Sequence, residues 1–438
     1  MGRRRAFSLV VAVVGCLAPA GPAASAAAAP PTTRVHVIEV QGPIDRPLLA
    51  FVEERLAEAE RAGAVIVLQL DTPGALGRDG VALAERVANL EVPVLTWVGP
   101  APAKASGAGL LLMLASSVAG VAPGSQTGPL LPVDVLHPDQ GISGLSHEVD
   151  RLLTDRGREA DVGAATGALT AQQALDAEIA RLAAPSVPIL LDRVDGMTVE
   201  TPSGPEVLRT RLARTPGQAE ERTVAIRFEE PGVITRVLHA VSTPSMVYVL
   251  LSLGLAALAF ELTQPGFGFA GFSGIGLVAL AIYGISVATP WWPGFVLLLL
   301  GVGLLVLDVR LRSLTWPTWF GLLAFAAGSV LAWGNVDRSI RVSPWLIGGA
   351  LVASFLYYGF GLTVALQSRD RIVGTQRGLI GLVGEARGRL APDGPVFVKG
   401  ALWRGRSIGD PIEAGAAVRV RGVDGLVLRV EPEPPSAP

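Results

Sequence analysis

Residues 100–109 read Pro-Ala-Pro-Ala-Lys-Ala-Ser-Gly-Ala-Gly, which is the most informative stretch of the chain. A β-type run, Val94–Val98, precedes it, and an apolar segment, 110–115, follows it. A glycine-rich turn between a buried strand and an apolar helix predicts a strand–turn–helix unit. Because such a turn lies at the carboxyl end of a strand and opens a helix, its residues decide which chemistry is available there.

The stretch belongs to a larger alternation of strands and helices. Three near-continuous apolar runs predict strands buried on both faces of a sheet, at 35–40, 65–70 and 94–98. Apolar side chains at helical spacing predict helices between them, over 45–62 and 79–90. This βαβαβ order implies parallel strands joined by right-handed crossovers. The turn Asp71-Thr-Pro-Gly74 therefore ends a strand at the same edge of the sheet as the glycine-rich turn.

The composition excludes several classes of function. Of 438 residues, 50% are hydrophobic, which is too many for one soluble domain. A net charge of −2 does not indicate a nucleic-acid partner. The one cysteine, Cys16, excludes an intrachain disulfide and a cysteine-based zinc site, and the 4 histidines lack a zinc-binding spacing. We therefore expect no metal and no cofactor.

Residues 1–28 are typical of an export signal. An arginine-rich start is followed by an apolar segment, 6–14, and by a small-residue cleavage zone, 23–28. Residues 13–16, Val-Val-Gly-Cys, also resemble a lipoprotein cleavage box, which would acylate Cys16; alternatively, Cys16 is an ordinary apolar residue of the signal. Both interpretations place the following domain outside the cytoplasm.

The middle of the chain, 243–367, is predicted to cross a membrane. About five apolar stretches have the length of a span, at 246–260, 270–287, 294–307, 316–333 and 346–366. Arginines follow the third and fifth stretches, so the positive-inside rule predicts an extracytoplasmic N-terminal domain and a cytoplasmic C-terminal domain. Arg338 and Arg341 do not fit this scheme, although Asp337 is adjacent. Because charges occur only at the ends of the stretches, we expect an anchor rather than a transporter.

The remaining segments complete the predicted domain organisation. Residues 32–195 form the α/β domain, and a β-rich linker, 196–242, leads to the membrane. Strands are predicted within this part at 187–192, 198–200 and 223–229. Short strands punctuated by turns over 375–431 predict a small all-β domain of the OB type, followed by a disordered tail, 432–438. Balanced charges and few aromatic residues favour protein binding over nucleic-acid binding by this domain.

Short motifs in one order along the whole chain carry a resemblance to a known family. They are Asp71-Thr-Pro-Gly74, Ala103-Lys-Ala-Ser-Gly-Ala-Gly109, Val118-Ala-Gly-Val-Ala-Pro-Gly124, Glu261-Leu-Thr-Gln-Pro-Gly-Phe-Gly268, Gly378-Leu-Ile-Gly-Leu-Val-Gly384 and Gly422-Val-Asp-Gly-Leu-Val-Leu-Arg-Val430. Together they resemble the long form of the NfeD family of membrane-bound serine proteases of the ClpP class. The resemblance implies an α/β ClpP/crotonase-like domain, an all-α transmembrane bundle and a small OB-fold domain. It also implies a stomatin-like membrane protein as partner and a tendency to form homo-oligomers.

The chain departs from the catalytic pattern that the resemblance implies. Active members of the family cleave peptides with a Ser–Lys dyad. Aligned without gaps, the serine position falls on Gly107 and the lysine position falls near Gln140, and no lysine lies between Lys104 and Lys399. A serine hydroxyl is a weak nucleophile without a neighbouring base. We therefore predict a pseudoenzyme that acts as a binding or scaffold component in membrane protein quality control or membrane organisation.

An active membrane-bound serine endopeptidase is the alternative. Ser106 precedes the expected serine position by one residue, and His137 could act as its base, oriented by Asp134 or Asp139. Backbone N–H groups of two turns could still form an oxyanion hole or bind an apolar peptide segment without cleavage. These groups belong to Gly74, Ala75, Gly107 and Ala108. Alternatively, Pro73-Gly74 only turns the chain.

Overall fold

The computed structural model describes residues 33–140, 144–156, 159–210, 224–262, 268–311, 316–361 and 378–433. These residues form an α/β domain, a helical membrane region and a C-terminal β-barrel. The predicted export signal, 1–28, and residues 434–438 of the predicted tail lie outside the described residues.

A 6-stranded parallel sheet forms the centre of the α/β domain. The strands of the domain are β1 (Thr33–Gln41), β2 (Val65–Asp71), β3 (Val94–Val98), β4 (Lys104–Ala105), β5 (Val118–Val121), β6 (Gln126–Thr127), β7 (Leu169–Thr170), β8 (Leu182–Ala183), β9 (Thr198–Thr201), β10 (Gly204–Val207) and β11 (Val224–Glu229). The sheet order is β11-β1-β2-β3-β5-β8, and all neighbouring strands are parallel. Every residue of β3 is buried, as expected for a strand covered by helices on both faces.

Among the described residues, seven α-helices accompany this sheet. They are α1 (Arg46–Arg61), α2 (Asp79–Ala88), α3 (Ala108–Ala115), α4 (Leu145–Asp155), α5 (Ala171–Asp176), α6 (Val187–Val194) and α7 (Val233–Val241). Helix α1 begins where the Asp45 carboxylate accepts a hydrogen bond from the Leu48 N–H at 3.0 Å. Its buried side chains recur at helical spacing, which is why the sequence pattern predicts it correctly.

Two segments differ from the sequence expectation. Residues 187–192 are expected as a strand but lie in helix α6, because Pro188 fits the first turn of a helix and the buried side chains recur every three to four residues. Strand β11, within the predicted linker 196–242, pairs in parallel with β1 and so extends the main sheet. Strand pairing depends on contacts that are distant in sequence, and the local pattern does not reveal them.

The membrane region consists of five helices over the described residues. They are α8 (Pro244–Glu261), α9 (Phe269–Val287), α10 (Trp292–Leu311), α11 (Trp316–Ala332) and α12 (Pro344–Leu356), the last continued by a π-helical turn, Tyr357–Gly361. Three of them, with α12 extended to Gly361, are long and apolar enough to cross a membrane, and the apolar parts of α10 and α11 are shorter. The first four predicted apolar stretches lie in α8 to α11, apart from residue 333; residues 346–361 of the fifth lie in α12 and its π-helical turn, and 362–366 lie outside the described residues.

The α/β domain rests on one end of the helical region. The Asp337 N–H, in the loop between α11 and α12, donates to the Val135 carbonyl at 2.8 Å. Leu136 and Ile340 belong to one buried apolar cluster that spans both regions. In this loop the Arg341 guanidinium donates to a backbone carbonyl, so a charge that does not fit the positive-inside scheme has a local partner.

The C-terminal domain is a closed barrel of five strands. They are β12 (Val383–Ala386), β13 (Asp393–Val398), β14 (Ala401–Ser407), β15 (Ala417–Asp424) and β16 (Val427–Pro432), in the order β12-β13-β14-β16-β15. Closure removes free sheet edges, and a small apolar core of its own fills the interior. The last strand reaches Pro432, so the first residue of the predicted tail is part of the barrel.

Candidate functional site

The glycine-rich turn has the strand–turn–helix geometry that the sequence predicts. Gly107 lies at the N-cap of α3 with φ 51° and ψ −116°, a conformation that favours glycine. A Cβ atom added at Gly107 would overlap the Pro132 carbonyl oxygen. The position on which the family's serine falls therefore has no room for a side chain in this conformation.

Ser106 lies just before this position, and its hydroxyl has a different partner. Its N–H donates to the Thr72 carbonyl at 3.1 Å, which joins the two predicted turns. Its Oγ donates to the Gly128 carbonyl at 2.9 Å. A carbonyl oxygen cannot take a proton from the hydroxyl, so this contact orients Ser106 without activating it.

His137 contacts Asp134, one of the two carboxylates that the sequence suggests for it, but it does so away from the serine. Its Nδ1 lies 3.0 Å from Asp134 Oδ2, and 47% of its side chain is exposed. The other carboxylate oxygen of Asp134 accepts N–H groups from Gly77 at 3.0 Å and Leu136 at 2.9 Å. Within the described residues, no hydrogen bond links His137 to Ser106. The structure thus assembles a His–Asp pair and leaves the serine outside it.

The four residues predicted to offer backbone N–H groups do come together. Cβ atoms of Ala75 and Ala108 approach the same glycine, Gly80, and both alanines are fully buried. The Ala75 N–H donates to the Val133 carbonyl at 3.0 Å, and the Gly107 N–H donates to the Pro129 carbonyl at 2.8 Å. These two N–H groups are therefore already occupied by the chain's own carbonyl oxygens.

Residues 129–135, which we call the covering segment, supply these carbonyl oxygens. Asp134 forms a parallel bridge with Ala75, and the Val135 N–H donates to the Ala75 carbonyl at 2.9 Å. The Leu130 N–H donates to the Ala165 carbonyl at 3.0 Å. The covering segment thus pairs with Ala75, directly after the Asp71-Thr-Pro-Gly74 turn, as an extended peptide would, and it fills the space in front of Gly107.

Gln140 and Lys104 complete the set of residues considered from the sequence. Gln140, near the expected lysine position, is exposed, and its N–H donates to the His137 carbonyl at 3.0 Å. Lys104 is exposed in the turn, and its backbone N–H donates to the Asp71 carboxylate at 3.0 Å. Among the residues that the structure describes, no cluster of histidine, cysteine, aspartate and glutamate could hold a metal ion.

Arg156 is a structurally important residue whose role the sequence did not reveal. Its guanidinium is buried, and burial lowers the pKa of this group. It donates at 2.8–3.2 Å to the carbonyls of Val87, Ala88, Ala115 and Glu200 and to Ser117 Oγ. Val87, Ala88 and Ala115 end helices α2 and α3, where carbonyls carry partial negative charge. Arg156 therefore fixes the C-terminus of the helix that begins at the candidate site.

Comparison with known proteins finds related domains and full-length relatives. A model of the NfeD integral membrane domain matches residues 245–363, and a model of the NfeD-like C-terminal, partner-binding domain matches residues 376–432. The membrane-bound protease PH1510 of Pyrococcus horikoshii is 25% identical over 90% of this chain and 92% of its own length. Membrane protein NfeD1b of Bacillus subtilis is 24% identical over the same shares, 90% and 92%. The chain thus carries regions that match both NfeD domain models, is homologous to these two proteins and is a membrane protein.

One solved structure resembles the α/β domain. It is 1510-N, a membrane protease specific for a stomatin homologue from Pyrococcus horikoshii. It is 20% identical, covers 48% of this chain and 98% of its own length, and has a TM-score of 0.36. The predicted architecture is confirmed: an α/β domain with a parallel sheet, a helical membrane region and a small all-β barrel.

Proposed function

We propose that this protein is a non-catalytic NfeD-type membrane protein that binds a stomatin-like partner and acts as a scaffold in membrane protein quality control or membrane organisation. The observation that carries the proposal is the filled cleft. A side chain at Gly107 would overlap Pro132, and the covering segment occupies the N–H groups of Ala75 and Gly107. Oxyanion stabilisation requires such N–H groups to be free to face the reacting carbonyl.

The C-terminal barrel supports the partner-binding part of the proposal. The matching family model describes this domain as partner-binding, and the related 1510-N protease is specific for a stomatin homologue. The α/β domain meets the loop between α11 and α12, so it lies at the end of the helical region where α8 begins. With five spans, the chain leaves the helical region at the opposite end, and the barrel follows there. We propose that the α/β domain is extracytoplasmic, that the barrel is cytoplasmic and that the protein assembles as a homo-oligomer.

An active serine endopeptidase is the second candidate, favoured by the His137–Asp134 pair. For this activity the covering segment would have to leave the cleft, and the Ser106 hydroxyl would have to exchange its bond to Gly128 for one to an imidazole nitrogen. The released N–H groups of Ala75 and Gly107 would then face the substrate carbonyl.

A fluorophosphonate probe separates the two candidates. Full-length protein in phospholipid nanodiscs is treated with the probe beside the variants Ser106→Ala and His137→Ala. We expect no labelling of the wild type. Labelling that disappears in both variants would overturn the non-catalytic proposal and establish the endopeptidase.

Partner binding is tested with the same nanodiscs. The full chain and a chain ending before residue 376 are each mixed with a purified stomatin-like protein. We expect stable co-elution on size-exclusion chromatography for the full chain and its loss for the truncated chain. Equal co-elution of both would contradict binding by the barrel.

A further inference from the structure

Helix α7 presents an apolar face outward. Val233, Ile234 and Val237 have 78%, 77% and 47% of their surface exposed. They lie on one side of a helix of 9 residues, at positions separated by one, three and four residues. Such a cluster is uncommon on a protein surface in contact with water alone.

The inward face of the same helix combines apolar packing of Val241 with one polar contact. His239 Nδ1 lies 2.8 Å from Asp45 Oδ2, and the Asp45 side chain is completely buried. The other oxygen of that carboxylate accepts the Leu48 N–H at the start of α1. Apart from Arg236, the exposed residues of α7 are apolar, which is unusual for a surface helix. The His239–Asp45 contact helps to fix which face points away from the α/β domain.

The position of α7 along the chain places it at the end of the membrane region. Helix α7 ends at Val241, and α8 begins at Pro244. Between them Thr243 has an extended backbone, with φ −84° and ψ 140°, so α7 does not continue the axis of α8. A Cβ added at Gly284 would overlap the Val241 carbonyl, and Gly284 lies about one turn before α9 ends at Val287. The C-terminus of α7 therefore packs against the last turn of a membrane helix, α9.

We propose that α7 is an interfacial helix and that its outward face, Val233, Ile234 and Val237, lies at the boundary between lipid headgroups and acyl chains. Apolar faces of this kind bind the membrane interface through buried area, and charged residues at their flanks stay at headgroup level. Arg236, which is exposed and paired with Glu230, is such a flanking residue. The α/β domain would then contact the lipid surface itself, in addition to resting on the loop that contains Asp337.

Spin labels at single cysteines test this proposal in the full-length protein. In a Cys16→Ser background, cysteines are introduced at Ile234 and Val237. Met246→Cys, on the exposed side of α8, is the control for a lipid-facing site, and Gln172→Cys, on the exposed side of α5, is the control for an aqueous site. Each labelled protein is placed in phosphatidylcholine–phosphatidylglycerol vesicles, and collisions with oxygen and with a water-soluble nickel complex are measured by power saturation.

We expect labels at Ile234 and Val237 to resemble the Met246 label, with oxygen collisions favoured several-fold over nickel collisions. Nickel accessibility equal to that of the Gln172 label would overturn the proposal. Spin–spin broadening that disappears on dilution with unlabelled protein would also overturn it, because a second copy of the chain would then cover this face. Wild-type elution on size-exclusion chromatography shows that each variant is folded.

Discussion

Arg156 holds the α/β domain together through backbone carbonyls rather than through a carboxylate. Removing its guanidinium leaves carbonyls at the ends of α2 and α3 without their donors in a buried site. We predict that Arg156→Met lowers the free energy of opening of this domain by about 3 kcal/mol, the scale of lost hydrogen bonds to a charged group. Amide hydrogen exchange of β2 and β3 in the detergent-solubilised full chain measures this change.

Arg151→Met is the matched control for that experiment. Arg151 lies on the same helix region but is partly exposed, where it pairs with Glu148 and Glu85. Ion pairs at a surface contribute about 1 kcal/mol or less. Equal losses in the two variants would show that the buried network of Arg156 has no special role.

The backbone at Gly107 leaves no room for a side chain. In Gly107→Ala the new methyl group overlaps the Pro132 carbonyl, so either α3 or the covering segment must move. We expect faster amide exchange at Ala75, whose N–H is bonded to that segment. Gly196→Ala is the control, because Gly196 has φ +78° but open space around it. Unchanged exchange at Ala75 would mean that the cleft tolerates a side chain at 107.

At the scale of elements, the length of a sequence pattern decides how well it predicts structure. The long helical spacing of α1 and the buried run of β3 identify both elements. The short apolar run in α6 does not distinguish a helix from a strand, because a helix of about two turns and a single strand both fit it. The motifs also locate Gly107 and the Asp71-Thr-Pro-Gly74 turn. They do not reveal that the covering segment pairs with Ala75, since that pairing depends on contacts between elements distant in sequence.

Glycines set the spacing of α10 and α11, the most closely packed helices of the membrane region. A Cβ at Gly328 would overlap the backbone of Leu298, whereas Gly303 on α10 has open space around it. Small residues allow such close approach in membranes. We predict that Gly328→Ala destabilises the helical region by about 1–3 kcal/mol, the cost of overpacking, while Gly303→Ala does not. Unfolding in mixed micelles, followed by circular dichroism, compares the two variants.

Two arginines control the acid stability of the barrel. Hydrogen bonds from Arg406 and then Arg404 lower the pKa of Asp393 from its ordinary 3.8 to about 2. Because the pKa of Asp393 is lower in the folded state than in the unfolded state, its carboxylate stabilises the barrel fully at pH values above the unfolded-state pKa. This contribution is lost as the pH falls through about 2. We predict that, in Asp393→Asn, the free energy of unfolding of the barrel in urea falls less steeply as the pH is lowered in the acid range. Asp410→Asn, an exposed change in the same barrel, should retain the wild-type slope.

In the whole molecule, the covering segment contacts both the cleft of the α/β domain and the membrane region. One side of it pairs with Ala75 in the cleft, and its last residue, Val135, accepts a hydrogen bond from Asp337 in the loop between α11 and α12. Leu136 and Ile340 add apolar contact at the same junction. The membrane region therefore contacts the end of the covering segment that lies in the cleft. Docking of the α/β domain on the membrane region and closure of the cleft should change together.

This coupling predicts the effect of a change made outside the cleft. Ile340→Asp places a charge in the apolar junction, where burying an unpaired carboxylate is costly, so the loop should separate from Leu136. We expect faster exchange of the Ala75 amide and protease cleavage within residues 129–135, although Ile340 touches neither Ala75 nor Gly107. Ile408→Asp is the control, because Ile408 is exposed on the barrel and far from this junction in the chain. If Ile340→Asp loosens the domain without changing exchange at Ala75, the covering segment is held by the α/β domain alone.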